Sequence, residues 1–84
     1  MAIGTPESAV FGPRGVQMIP SSSSAIAAYG YDPLKWKLYI LPRSRATRVY
    51  IYEGFPPNEM ENFLAAPSMG VFWNKNIKPI YQYY

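Results

Sequence analysis

Two short runs in which apolar and polar side chains alternate constrain this chain most. The first is Trp36-Lys37-Leu38-Tyr39-Ile40, the second Thr47-Arg48-Val49-Tyr50-Ile51-Tyr52. A period of two belongs to extended backbone, where successive side chains point to opposite faces. The first run therefore predicts a strand with Trp36, Leu38 and Ile40 on one face. Lys35, Lys37 and Tyr39 fall on the other, which is expected to be wet. The second predicts a strand with Thr47, Val49 and Ile51 opposite Arg48, Tyr50 and Tyr52. Upstream, Ala25 to Tyr31 is a third such segment, with Ile26 and Ala28 expected on one face. Asp32-Pro33 and the loop Arg43 to Ala46 supply the connections. Three sequential strands with short connections predict an antiparallel meander.

Beyond Gly54 the period changes. Pro56-Pro57 suits a helix start, where the first N–H groups lack intrahelical partners anyway. Glu59 and Glu61 sit near that end, which favours negative charge. Met60, Phe63 and Leu64 follow at i, i+3 and i+4, predicting one apolar stripe. Pro67 ends this helix. Ser68 is placed to cap a second, with Val71, Phe72 and Ile77 expected to face inward and Pro79 to stop it. Ile80 to Tyr84 is extended by propensity and is expected to add a short final strand. The expected fold class is α+β: a three-stranded antiparallel meander packed against two short C-terminal helices.

Residues 1–20 read as an extended N-terminal arm, and 21–84 as the domain. Gly4, Pro6, Gly12, Pro13, Gly15 and Pro20 interrupt any period in the arm. Its apolar side chains, among them Val10, Phe11, Val16 and Met18, imply that it docks on its own domain or on another protein. Ser21 to Ser24 reads either as a linker or as a strand entry with local hydroxyl bonds.

Eighty-four residues make one domain, and a domain this small has a thin stability margin. There is no cysteine and no histidine, so disulfides and thiolate metal sites are excluded. A partner or self-association is the support that remains. The apolar fraction of 49% is enough to build a core and argues against a disordered chain. The missing residue types also remove the common general base and thiol nucleophile. Glu59 and Glu61, at i and i+2, do not face each other on a helix. No phosphate-cradling glycine loop is present. The chain is thus read as non-enzymatic, with no metal, cofactor or small-molecule substrate. The N-terminus shows no basic segment followed by an apolar run, and no stretch is long and apolar enough for a membrane span. A cytoplasmic or virion location is expected.

Two surfaces are candidates for binding. The formal net charge is +3. Arg43, Arg45 and Arg48 cluster on one predicted hairpin, Lys35 and Lys37 lie beside Tyr39, and Lys75 and Lys78 fall late in the second helix. Basic residues among aromatics are what single-strand nucleic-acid binders use. The bland reading is a solvated hairpin whose charges discourage aggregation. Tyr81, Tyr83 and Tyr84 form an aromatic tail, either edge-strand packing or an interface patch. A protein assembly or homo-oligomer is the first expected partner, and nucleic acid the alternative.

Several motifs resemble one family. They are Ser23-Ser24-x-Ile26 through Gly30-Tyr31-Asp32, Tyr50-x-Tyr52-x-Gly54-x-Pro56, Ala66-x-Ser68-x-Gly70, and Phe72-x-Asn74-x-x-Ile77-x-x-x-Tyr81. Together they resemble the KTSC domain, named for the C-terminal extension of some lysyl-tRNA synthetases. It also occurs as stand-alone proteins, including in tailed bacteriophages. The resemblance implies a non-enzymatic module. For synthetase-linked members it implies an RNA-binding role, which does not extend to the stand-alone members. Those members, with the apolar arm and the Tyr-rich tail, give the expectation of a module docked on a larger protein assembly, a minor virion component of a tailed phage. Met69 stands where the family often has a basic residue. The connection from Pro42 to Arg48 is longer and more basic than the family's tight glycine turn.

Overall fold

Asp32 and Pro33 reverse the chain between its two longest strands. The computed structural model describes residues 10–11, as backbone, and 15–84. Strand β3 (Ile26–Asp32) pairs antiparallel with β4 (Lys37–Pro42) from Asp32 opposite Lys37 to Ile26 opposite Pro42. The Asp32 carboxylate accepts from the backbone N–H of Leu34 at 3.0 Å and of Lys35 at 3.2 Å. A 3-10 turn, Arg43–Arg45, leads to β5 (Tyr50–Glu53), which pairs antiparallel with β4.

The sheet has four main strands where the alternation predicts three. The additional one, β2 (Gln17–Pro20), pairs antiparallel with β3 through Ile19 opposite Tyr29 and Pro20 opposite Ala28. The two-residue strand β1 (Val10–Phe11) lies on the outer side of β2. Residues 17–20 of the expected arm therefore belong to the sheet, whereas 1–9 and 12–14 lie outside the described residues. Pro20 masks this strand in the sequence, yet proline is tolerated where no ladder N–H is needed. Gly30 explains the closeness of the pairing: a Cβ there would stand 2.6 Å from the Gln17 carbonyl oxygen.

Helix α1 (Pro57–Ala65) and a short helix α2 (Met69–Phe72) cover one face of the sheet. Pro57 opens α1 as expected. Ser68 caps α2, its Oγ accepting from the Val71 N–H at 3.2 Å. From Trp73 to Ile77 the backbone widens into a π-helical segment. Gly70 lets this element approach the sheet, since a Cβ there would lie 2.8 Å from the Ala25 Cβ. The main core joins Ile26, Leu38, Ile40 and Tyr52 of the sheet to Phe55, Met60, Phe63, Trp73 and Ile77. Edge-to-face ring pairs bind the layers, with Tyr29 6.0 Å from Phe63 and Phe55 5.0 Å from Tyr81.

The opposite face is not simply wet. Met18, Tyr39 and Ile51 are buried there, with Val16, Ala28, Leu41 and Val49 against them. Tyr39, expected to face solvent beside Lys37, is 1% exposed because β2 and β5 bring Met18 and Ile51 alongside it. Ile26 and Ala28 pack in different clusters, because the register shifts at a bulge between them. Trp36 does not share the inner face with Leu38. It sits in the turn, exposed, at φ 54°. Leu64 and Val71 are exposed too, in place of the expected inward packing. On α1 the buried stripe is narrow, Met60 and Phe63, while in the second helix Trp73 and Ile77 turn inward.

Candidate functional site

The sequence from Ile80 onward returns to the sheet. Ile51 N–H donates to the Tyr84 carbonyl, Tyr84 N–H to the Ile51 carbonyl and Glu53 N–H to the Gln82 carbonyl, each at 3.0 Å. Tyr83 thereby lies opposite Tyr52, antiparallel to β5. The expected final strand is a single bridge of this kind at the sheet edge. Antiparallel pairing at one residue puts Tyr83 and Tyr84 on opposite faces of that edge.

On the helix-covered side, the Tyr83 ring stands 5.1 Å from Tyr50 and 5.5 Å from Tyr52. The Arg48 guanidinium lies 4.5 Å over the Tyr50 ring and 6.0 Å from the Tyr83 ring. Arginine stacked on an aromatic face keeps its donors available at the rim of the rings. On the other side, Lys37 Nζ donates to the Tyr84 hydroxyl at 2.6 Å and sits 5.3 Å from that ring. Two cation–aromatic pairs thus flank one ordered edge. Tyr83 remains 54% exposed and neighbouring Ile80 64% exposed.

Arg43 does not join this group. Its Nε donates to the Ser23 carbonyl at 2.9 Å, and its Nη2 to the carbonyls of Ser21 at 2.6 Å and Ile26 at 3.2 Å. The guanidinium fork ties the serine run to the end of β4. The run itself is a strand entry rather than a loose linker. Ser21 Oγ accepts from Ser23 N–H, and Ser23 Oγ from Ala25 and Ile26 N–H. Together with residues 66–69 the run lines a cavity of about 270 Å³, and Ser21 Oγ donates to Met69 Sδ at 3.7 Å. Arg45 lies exposed in the 3-10 turn, and Lys35 in the β3–β4 turn. Lys78 Nζ sits 4.1 Å from the Trp73 ring, and Lys75, three residues before it, is exposed. Arg43, Arg48, Lys37 and Lys78 thus have different partners: carbonyls of residues 21, 23 and 26, the rings of Tyr50 and Tyr83, Tyr84, and Trp73.

Of the apolar candidates, Met18 is buried and Val16 packs against the same cluster, while Tyr81 packs on Phe55. The side chains of Val10 and Phe11 lie outside the described residues. Tyr50 is a member of the edge that sequence reasoning did not single out. Its signal is its position two residues after Arg48 on the same strand face.

The tyrosines behind the edge are tuned by burial. Desolvation pushes the Tyr52 hydroxyl above the usual phenol range, partly countered by the hydrogen bond from Trp73. Desolvation likewise raises Tyr31, with Asp32 adding to it, and Tyr81, with Glu59 adding to it. Among the described residues no group of three or more His, Cys, Asp or Glu side chains gathers. No helix there is long and apolar enough to cross a membrane.

Comparison with known proteins places this architecture. A protein of Tsukamurella paurometabola is 44% identical over 62 residues, covering 74% of this chain and 90% of that relative. The crystal structure of a KTSC domain protein from Yersinia pestis is similar, with a TM-score of 0.75 and 36% identity. The match covers 82% of this chain and 94% of that one. The family model for the KTSC domain matches residues 22–83. That match takes in the serines at 22–24, strands β3 to β5, both helices and Tyr83, and the chain belongs to the KTSC domain family.

Proposed function

We propose that this chain is a non-enzymatic interaction module that docks on a larger protein assembly, as a minor virion component of a tailed phage. One observation carries this reading. Tyr83 is held in the sheet by its neighbours' backbone bonds, yet is 54% exposed beside exposed Ile80. Aromatic side chains that are ordered but half in water are characteristic of protein interfaces. Because the edge is already fixed, docking on it costs little further ordering. The N-terminal arm is the second proposed contact.

The test is gradient sedimentation of an extract from cells that make the protein naturally. The native chain should migrate far above its own 9.5 kDa. A Tyr83→Ser/Tyr84→Ser variant should return to low mass while staying folded. A native chain that sediments as a monomer would contradict the reading.

A second reading, nucleic-acid binding, is favoured by Arg48 lying over Tyr50 at the rim of Tyr83. A guanidinium beside an exposed ring offers a base to stack on and a phosphate to pair. This reading requires affinity that falls steeply with salt and with Arg48→Ala.

A further inference from the structure

The tip of the β3–β4 hairpin is apolar, in a place where turns are ordinarily built from glycine, asparagine or aspartate. Leu34 is 93% exposed and Trp36 47% exposed, with Lys35 exposed between them. Trp36 also holds φ at 54°, the left-handed region that a bulky side chain adopts only against steric resistance. Glycine or asparagine would sit there with less strain, so an indole at this point serves something other than the turn. The tip is braced on both sides. The Asp32 carboxylate accepts from Leu34 and Lys35 N–H, and the Trp36 carbonyl accepts from the N–H of fully buried Phe55 at 2.9 Å. It is also continuous with the aromatic edge, because Lys37, at the base of the hairpin, donates to the Tyr84 hydroxyl.

We infer that this tip is a docking knob, which inserts Leu34 and Trp36 into an apolar pocket on a partner protein, with a carboxylate on the pocket rim facing Lys35. The inference rests on the interaction-module reading and names the partner's chemistry. A narrow convex projection calls for a concave receptor. Tryptophan in a desolvated pocket is a frequent centre of binding energy, and a bracing that already exists spares the ordering cost. Lys35 is the charge between the two apolar side chains, so the complementary rim is acidic. A lipid surface fits less well. Even a whole myristoyl chain anchors only marginally, and one leucine with one half-buried indole offers less apolar surface than that.

The test places a photoreactive benzoylphenylalanine at position 34, and separately at 83, of the full chain in its native cells. The cross-linked protein is identified, purified and titrated against wild type, Leu34→Ser, Lys35→Glu, Trp36→Asn and Tyr83→Ser/Tyr84→Ser. Vesicles of phosphatidylcholine with phosphatidylglycerol form a parallel arm. The expected result is a cross-link from position 34 into an apolar pocket bearing an acidic residue. Affinity for that protein should fall about tenfold or more with Leu34→Ser or Trp36→Asn, and less with Lys35→Glu. Leu34→Ser should melt as wild type does, since its side chain packs on almost nothing. Affinity unchanged by both Leu34→Ser and Trp36→Asn but lost with the tyrosine pair would overturn the knob and leave the interaction module standing. A cross-link from 83 alone would do the same. No cross-link from either position would remove both. Vesicle binding that Leu34→Ser abolishes would make the receptor a lipid surface and refute a protein pocket.

Discussion

Trp73 Nε1 donates a hydrogen bond to the Tyr52 hydroxyl oxygen at 3.0 Å, joining the π-helical segment to β5 inside the core. Trp73 and Tyr52 are both buried, 4% and 2% exposed, so the bond replaces water for two polar groups that would otherwise be stranded. It also fixes the tyrosine against which Tyr83 packs.

Tyr52→Phe keeps the ring and removes the acceptor. The buried indole N–H is then unsatisfied, and the variant should lose about 1–3 kcal/mol of stability. Urea unfolding at neutral pH measures it. A loss below a few tenths of a kcal/mol would mean that the indole finds another acceptor.

The raised tyrosines predict an alkaline limit. A phenol whose folded pKa lies above its unfolded value contributes stability that is fully present below the unfolded pKa. That stability is lost as pH rises through the folded one. Tyr52, Tyr31 and Tyr81 are all raised from 10.0, chiefly by desolvation. Stability should therefore be level across neutral pH and fall above about pH 10. Tyr52→Phe should make that fall shallower. A slope identical to wild type between about pH 10 and 11 would show that Tyr52 does not carry it.

Gly70 and Ala25 should behave as a coupled pair. Gly70→Ala puts a Cβ 2.8 Å from the Ala25 Cβ, where something must shift. The single variant should lose about 1–3 kcal/mol. In an Ala25→Gly background the clash is gone, and Gly70→Ala should recover up to about 1 kcal/mol through helix propensity. A double-mutant cycle checks the change of sign. Additive effects would contradict the contact.

Arg43 and Arg48 should separate in their effects. Arg43→Ala removes a fork that grips three carbonyls and should lower stability by about 1–2 kcal/mol, with Arg43→Lys restoring only part. Arg48→Ala, which removes stacking on exposed rings, should cost less than about 1 kcal/mol. Thermal melts of the three variants decide it. A larger loss at Arg48 than at Arg43 would reverse the assignment.

Much of the fold was legible because alternation in 37–40 and 50–52, the Asp32-Pro33 turn, Pro57 and the Ser68 cap each act locally, although Trp36 falls in the turn and the last strand starts at Tyr50, not Thr47. What failed did so for non-local reasons. β2 is held by pairing with β3 and by the space that Gly30 leaves, not by any period of its own. Tyr39 stands between two residues of opposite character, and its burial depends on Met18 arriving from another strand. The bulge near Ala27 reverses the facing of the residues after it, and no composition rule places a bulge. At the candidate site, the charges were legible but their grouping was not. Arg43 donates to carbonyls of the serine run and Arg48 reaches the Tyr83 ring, which only tertiary structure brings about, while Lys78 lies over Trp73, five residues before it in the same segment.

Whether the aromatic edge receives protein rather than nucleic acid is decided by a titration of labelled single-stranded RNA and duplex DNA. It is done at low and at physiological salt, about 0.15 M, against wild type and Arg48→Ala. If the edge receives protein, association is at most weak at low salt and absent at physiological salt, for both proteins. Tight binding that persists at physiological salt, falls steeply as salt is raised further and disappears with Arg48→Ala would contradict that reading and make the edge a nucleic-acid surface.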